Sequence, residues 1–161
     1  MYHPTVETIK TLLDSKSIVY EAFEHAPVRT SEEAASIRHG YTIHQGAKAI
    51  IVRVKIPNEA KKFIMLVVPG DMRFSERQLK ANLGITEVRF ATEVEVGEIT
   101  DGILPGGVPP FGNLFSLEVY VDPEVLKNEK IIFNAGDRSY SIAMKAADYE
   151  KIVTPTIVQI T

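Results

Sequence analysis

Ala47-Lys48-Ala49-Ile50-Ile51-Val52-Arg53-Val54-Lys55-Ile56 and Lys62-Phe63-Ile64-Met65-Leu66-Val67-Val68 are two runs rich in β-branched residues, joined by the polar segment Pro57-Asn58-Glu59-Ala60-Lys61. Short runs of this composition, bounded by proline, asparagine and charge, read as two strands of a hairpin with a longer loop. They are expected to be central strands, and the rest of the chain has to cover them.

Outward from this hairpin, short helices alternate with β segments. Toward the N-terminus, Val6, Ile9, Leu12 and Leu13 recur at helical spacing after Pro4, which is tolerated in a first turn, so a helix is expected over residues 4–16. A strand over 18–24 follows and stops at His25-Ala26-Pro27. Thr30-Ser31-Glu32-Glu33 has the form of a capping box and predicts a short helix from Ser31 to about Arg38. Toward the C-terminus, Ser75-Glu76-Arg77-Gln78 is a second capping box, with Gly84 as the helix stop. A short strand at 87–90 and a helical turn at 92–96 come next. Strands are expected at 115–121, 130–134 and 139–144, then a helix at 146–153 before Pro155 and a last strand at 156–160. Strands joined by short turns pair antiparallel, and interspersed helices supply cover. The expected fold is α/β (mixed α+β): a single domain over residues 1–161 with a mixed, mostly antiparallel sheet curled toward a barrel and flanked by short helices.

Composition agrees with one globular domain. The chain has 161 residues, 45% hydrophobic and 24% charged, and no linker-like stretch divides it. Its longest apolar run, 63–69, is far shorter than the ~20 residues a membrane-spanning helix needs, and Met1-Tyr2-His3-Pro4 lacks the basic and apolar regions of a signal peptide. A cytoplasmic location is expected. With no cysteine the chain can build no disulfide, thiolate zinc site or cysteine nucleophile. A net charge of −3 disfavours binding of long nucleic acid by bulk electrostatics, which needs many phosphate contacts. Residues 48–80 nevertheless carry eight basic against three acidic side chains, a local balance of +5. That excess is either a basic face or scattered solvated charge.

The segment Leu104-Pro105-Gly106-Gly107-Val108-Pro109-Pro110-Phe111-Gly112 holds three glycines and three prolines in nine residues. Proline fixes φ and glycine removes the Cβ, so the loop is stiff and its peptide groups can approach a ligand; it can equally be a tight connection without one. No dinucleotide-binding glycine motif and no Walker A sequence occurs. His3, His25, His39 and His44 lack metal-ligand spacing, so no metal and no cofactor are expected. His25 ends a strand, as either a hydrogen-bonded corner residue or a base. Lys48 opens the most apolar strand, where an ammonium anchors a phosphate or carboxylate or simply reaches water. In Asn134-Ala135-Gly136-Asp137-Arg138, small residues expose backbone amides that form either an oxyanion-type nest or an ordinary hairpin turn.

Four of these pieces occur in a recognisable order: His25-Ala26-Pro27 with Thr30, Gly46-Ala47-Lys48-Ala49-Ile50-Ile51-Val52, Gly106-Gly107-Val108-Pro109-Pro110-Phe111-Gly112, and Phe133-Asn134-Ala135-Gly136. In this the chain resembles the YbaK/ProX family of aminoacyl-tRNA editing domains, also found inserted in some bacterial prolyl-tRNA synthetases. The resemblance implies a freestanding, trans-editing deacylase that hydrolyses the ester between a wrong amino acid and tRNA, most typically alanine or cysteine on proline tRNA. A second hydrolytic sieve is physically sensible, because one methylene in an apolar synthetase pocket is worth only ~1 to 3 kcal/mol.

The resemblance also assigns roles to residues. Lys48 matches the hallmark lysine that holds the terminal adenosine. Gly106 and Gly107, with Asn134, Ala135 and Gly136, match main-chain groups lining the aminoacyl pocket; Asp137, where the chain departs from the family pattern, either orients an amino group or is a solvated turn aspartate. Phe23 and Thr30 match an aromatic and a polar position near that pocket, and His25 joins them as a substrate-binding residue. Attack is implied to be assisted by the substrate itself, through a ribose hydroxyl or a cysteinyl thiol. The implied partner is the tRNA acceptor end, with a synthetase as a candidate second partner. Ala135, Asp137, Arg138 and Ser141 depart from the family pattern and leave the amino acid open. A non-catalytic module that binds an aminoacyl-nucleotide is the other function compatible with these residues.

Overall fold

The computed structural model describes residues 1–28, 30–37 and 40–161. Its elements are α1 (Thr5–Ser15), β1 (Tyr20–Glu24), α2 (Ser31–Ile37), β2 (Ala47–Lys55), β3 (Lys62–Pro69), α3 (Glu76–Leu83), β4 (Glu87–Phe90) and α4 (Glu93–Thr100). A 3-10 turn (Gly112–Phe115), β5 (Val119–Val121), α5 (Pro123–Leu126), β6 (Lys130–Asp137), β7 (Tyr140–Lys145), α6 (Ala146–Val153) and β8 (Thr156–Ile157) complete it. The mixed α/β class is as expected, but the strands divide into two sheets. One is antiparallel, in the order β1-β7-β6; the other runs β4-β2-β3-β5-β8, with β5 and β8 parallel to their neighbours. An isolated bridge between Gly46 and Ile132 joins them, and the sheets do not close into a barrel.

The 47–68 hairpin is central as read. Lys48 pairs with Val68 and Val54 with Lys62 in antiparallel register, and β3 is flanked by β2 and β5. Alternate side chains therefore enter two cores. Ala47, Ile51, Met65 and Val67 face the first, between the sheets, with Ile9 and Leu13 of α1 and Phe111, Phe133 and Tyr149. Val52, Val54, Ile64, Leu66 and Val68 face the second, covered by Leu79 of α3 and by Ile160.

Local signals placed most helix ends. Ser75 Oγ accepts from Gln78 N, and Gly84 closes α3. Thr92 and Glu95 form a full capping box, which carries the expected turn at 92–96 on to Thr100. The expected end of α2 at Arg38, and His39 after it, lie outside the described residues.

Four strand limits needed correction. The strand expected over 130–134 runs on to Asp137, past a bulge between Asn134 and Asp137, so the turn begins later than Ala135. The strand expected at 18–24 starts at Tyr20, because Ser17 takes a left-handed φ of 55° to end α1. The strand expected over 115–121 is cut to Val119–Val121, since Ser116 is also left-handed and Leu117 N bonds back to Gly112 O. The strand expected over 156–160 pairs only at Thr156 and Ile157, because the residues beyond turn onto Asp122 instead.

Candidate functional site

The glycine/proline loop lies against the turn between β6 and β7, which grips three consecutive carbonyls. Arg138 donates to Pro105 O from Nε at 2.8 Å and also from Nη2. Asn134 Nδ2 donates to Gly106 O at 2.7 Å, and Gly136 N donates to Gly107 O at 2.9 Å. The peptide bonds are trans, so the C=O and N–H of one peptide plane point in opposite directions. Holding Pro105 O and Gly107 O on the hairpin therefore turns the N–H groups of Gly106 and Val108 away from it. Gly107 N–H closes on Leu104 O, whereas among the described residues no acceptor takes the N–H of Gly106 or of Val108. Gly106 has φ +90°, a conformation few other residues adopt.

Gly106 and Val108 both line a cleft of about 90 Å³. The cleft lies where the bridge at Gly46 and Ile132 joins the two sheets, and it is closed by Thr30 and Ala34 at α2, Lys48 at the start of β2, and Asn134 on β6. Lys48 is partly buried and donates from Nζ to Met72 O at 2.9 Å. Burial and then the positive charge of Arg73 hold its pKa below the usual lysine range, with Glu32 and Asp71 pulling the other way. A partly desolvated cation at the rim of a small cleft is suited to a phosphate or carboxylate.

Behind Asn134 runs a chain of polar contacts. Ser141, fully buried, donates from Oγ to Asn134 Oδ1 at 3.1 Å, and Ser141 Oγ lies 2.7 Å from His25 Nε2. His25 Nδ1 is 2.9 Å from Ala26 O, and Val28 N bonds to Arg138 O, so the loop after β1 is fastened to the same hairpin.

Of the residues singled out in the sequence, Lys48, Gly106, Thr30 and Asn134 meet in this cleft. Thr30 also caps α2, accepting from Glu33 N at 3.1 Å. The others are placed around it. Gly107 is the middle of the gripped loop. Phe23 packs edge-on against Tyr41, with ring centroids 6.0 Å apart. Ala135 is fully buried, and Gly136 abuts Thr5 at φ +108°. The Asp137 carboxylate accepts from Ser139 N at 2.9 Å and His3 N at 3.3 Å, stitching the start of the chain to the hairpin. Sequence reasoning did not find the Arg138 grip, the Met72 carbonyl or the Ser141 link. No local pattern marks them, because Arg138 and Pro105 are 33 positions apart.

The arrangement offers a cation, two backbone donors without an acceptor among the described residues, and a small cavity. Such a set can hold an anionic or ester-bearing end group and stabilise negative charge on a carbonyl oxygen.

Comparison with known proteins gives the following. The sequence model of the aminoacyl-tRNA editing domain matches residues 25–152. The multifunctional Ser/Thr-tRNA deacylase ProXp-y of Escherichia coli (strain K12) is 30% identical over 155 residues, spanning 96% of this chain and 91% of that protein. The prolyl-tRNA editing protein ProX of Acetoanaerobium sticklandii is 26% identical over 145 residues, spanning 88% of this chain and 85% of its own length. A solved structure described as a candidate trans-editing enzyme for prolyl tRNA synthetase shares the fold, with a TM-score of 0.80 at 20% identity over 100% of this chain and 99% of that one. Among the described residues no helix is long and apolar enough to cross a membrane.

Proposed function

Because the chain belongs to the aminoacyl-tRNA editing domain family, we propose that it is a deacylase acting in trans on the ester of a mischarged tRNA. The observation that carries this reading is that Lys48, Gly106 and Val108 line one small cleft, and that among the described residues no acceptor takes the N–H of Gly106 or of Val108. Near-complete mutual coverage with the E. coli deacylase supports it.

In the reaction, a water oxygen attacks the ester carbonyl carbon and the bond to the terminal ribose oxygen breaks. The water's proton passes to that oxygen, leaving free amino acid and a tRNA with its hydroxyl restored. Lys48 holds the anionic nucleotide end. The N–H groups of Gly106 and Val108 face the carbonyl oxygen as negative charge grows on it, where preorganised donors cost no reorganisation. Asn134, fixed from behind by Ser141, holds the loop at Gly106. A substrate ribose hydroxyl or thiol assists the attacking water, and positioning supplies much of the acceleration.

The small cleft suits a short side chain. Alanyl and cysteinyl esters of proline tRNA are therefore proposed as substrates, and likeness to the Ser/Thr-tRNA deacylase adds seryl and threonyl esters. Only the acceptor end has to be held, which reconciles a tRNA substrate with a net charge of −3. A synthetase that hands over the mischarged tRNA is the proposed second partner. The test is a deacylation panel of alanyl, cysteinyl, seryl and threonyl esters on several tRNAs. At least one ester should be hydrolysed, with the activity lost in Lys48→Ala; a panel left intact refutes the reading, and binding without turnover favours a non-catalytic module.

A further inference from the structure

We propose that Arg138 is a positioning residue that aims and strengthens the Gly106 N–H donor without itself touching the substrate. Pro105 O and Gly106 N belong to one peptide plane, so whatever grips the oxygen sets the direction of the N–H. The grip is the Arg138 guanidinium, which donates from Nε at 2.8 Å and again from Nη2. Among the described residues no carboxylate pairs with Arg138, so its charge is spent on this carbonyl.

Two effects follow. A planar fork on one oxygen fixes the rotation of the 105–106 peptide, which Gly106 at φ +90° leaves otherwise permissive. A cationic donor on a carbonyl also polarises the peptide and makes its N–H a stronger donor, because linked hydrogen bonds reinforce one another. Val108 provides an internal control. Its N–H is aimed by the next peptide plane but one, whose oxygen, Gly107 O, is held by Gly136 N rather than by a side chain. Loss of the guanidinium should therefore disable one donor and spare the other.

The proposal rests on the deacylase reading only for the identity of the ligand, so one arm of the test needs no turnover. Uniformly 15N-labelled protein is titrated with a stable 3′-amide analogue of seryl-adenosine. In the wild type, the amide protons of Gly106 and Val108 should both move downfield. In Arg138→Met the Gly106 response should vanish while that of Val108 persists, and Arg138→Lys should recover part of it. In steady-state deacylation Arg138→Met should lower kcat roughly tenfold to hundredfold with KM near the wild-type value. A wild-type Gly106 amide that ignores the analogue overturns the proposal. So does an Arg138→Met protein with an undiminished Gly106 response, or one in which Gly106 and Val108 fail together, the sign of a collapsed loop. A wild type that binds the analogue and hydrolyses no ester overturns the deacylase reading instead, and the differential response still decides the role of Arg138.

Discussion

Replacing Asp122 by asparagine should loosen the closing segment of the chain by an amount that its hydrogen bonds define. Asp122 is 1% exposed, and its two oxygens accept four hydrogen bonds. Oδ1 takes Glu124 N at 2.9 Å; Oδ2 takes Ile160 N and Thr161 N at 2.9 Å and Thr161 Oγ1 at 2.8 Å. An amide has one oxygen, so whichever way it turns, at least one donor meets an NH2 group. A hydrogen bond to a charged partner contributes roughly 1.5–3 kcal/mol and a buried donor left unpaired costs roughly 1–3 kcal/mol, so Asp122→Asn should cost about 2–4 kcal/mol. At this chain length that lowers Tm by about 10 °C. The loss is transmitted to the second core, because Ile160 is fully buried beside Leu66, Val68 and Leu79.

The same carboxylate gives the effect a pH signature. Burial pushes its pKa up, but the N–H groups of Glu124, Ile160 and Thr161 and the Thr161 hydroxyl pull it further down, to below the usual 3.8. A carboxylate with a depressed folded pKa stabilises fully above its unfolded value and loses that contribution as pH falls through the folded one. Urea unfolding of wild type and Asp122→Asn should therefore show a constant gap near neutrality that closes in acid below about pH 3.8. Equal urea midpoints at pH 7, or a gap indifferent to acid, would refute the reasoning.

Two further outcomes concern the cleft. The lowered pKa of Lys48 means that affinity for the same adenosine analogue carrying a 5′-phosphate should fall on the alkaline side with a midpoint below the ordinary 10.5, and Arg73→Gln, which removes a neighbouring positive charge, should move that midpoint upward. Titration calorimetry across pH checks both directions. In Gly136→Ala the new Cβ would lie 2.8 Å from Thr5 Cβ at a φ of +108°, so the variant should lose roughly 1–3 kcal/mol and also turnover, as α1 pushes the Gly107 grip aside; a stable, fully active variant in thermal melts and deacylation would count against that packing.

Much of the fold was legible because its determinants are local. The β-branched runs on either side of Pro57-Asn58-Glu59-Ala60-Lys61 form the paired strands they resemble, and alternation along them feeds two cores. Thr92 with Glu95, Ser75 with Gln78 and Gly84 act within one helical turn, where composition alone predicts the contact. Ser116 was not legible: β propensity on both sides suggested one strand, and a single left-handed residue after the 3-10 turn Gly112–Phe115 delays the strand to Val119. The division into two sheets escaped for a similar reason, since a single bridge between Gly46 and Ile132 is a pairing no periodicity encodes.

By itself the sequence determined most of the helices, the central hairpin, the stiffness of the 104–112 loop and the presence of a lysine at the mouth of an apolar strand. These depend on φ limits, capping and side-chain alternation, which act over a few residues. Only the tertiary structure decided what the loop can do. Asn134 reaches Gly106 across 28 positions, Arg138 reaches Pro105 across 33, and His25 meets Ser141 across 116. Because C=O and N–H point opposite ways across a peptide plane, the grips on Pro105 O and Gly107 O determine which amides are left without an acceptor among the described residues.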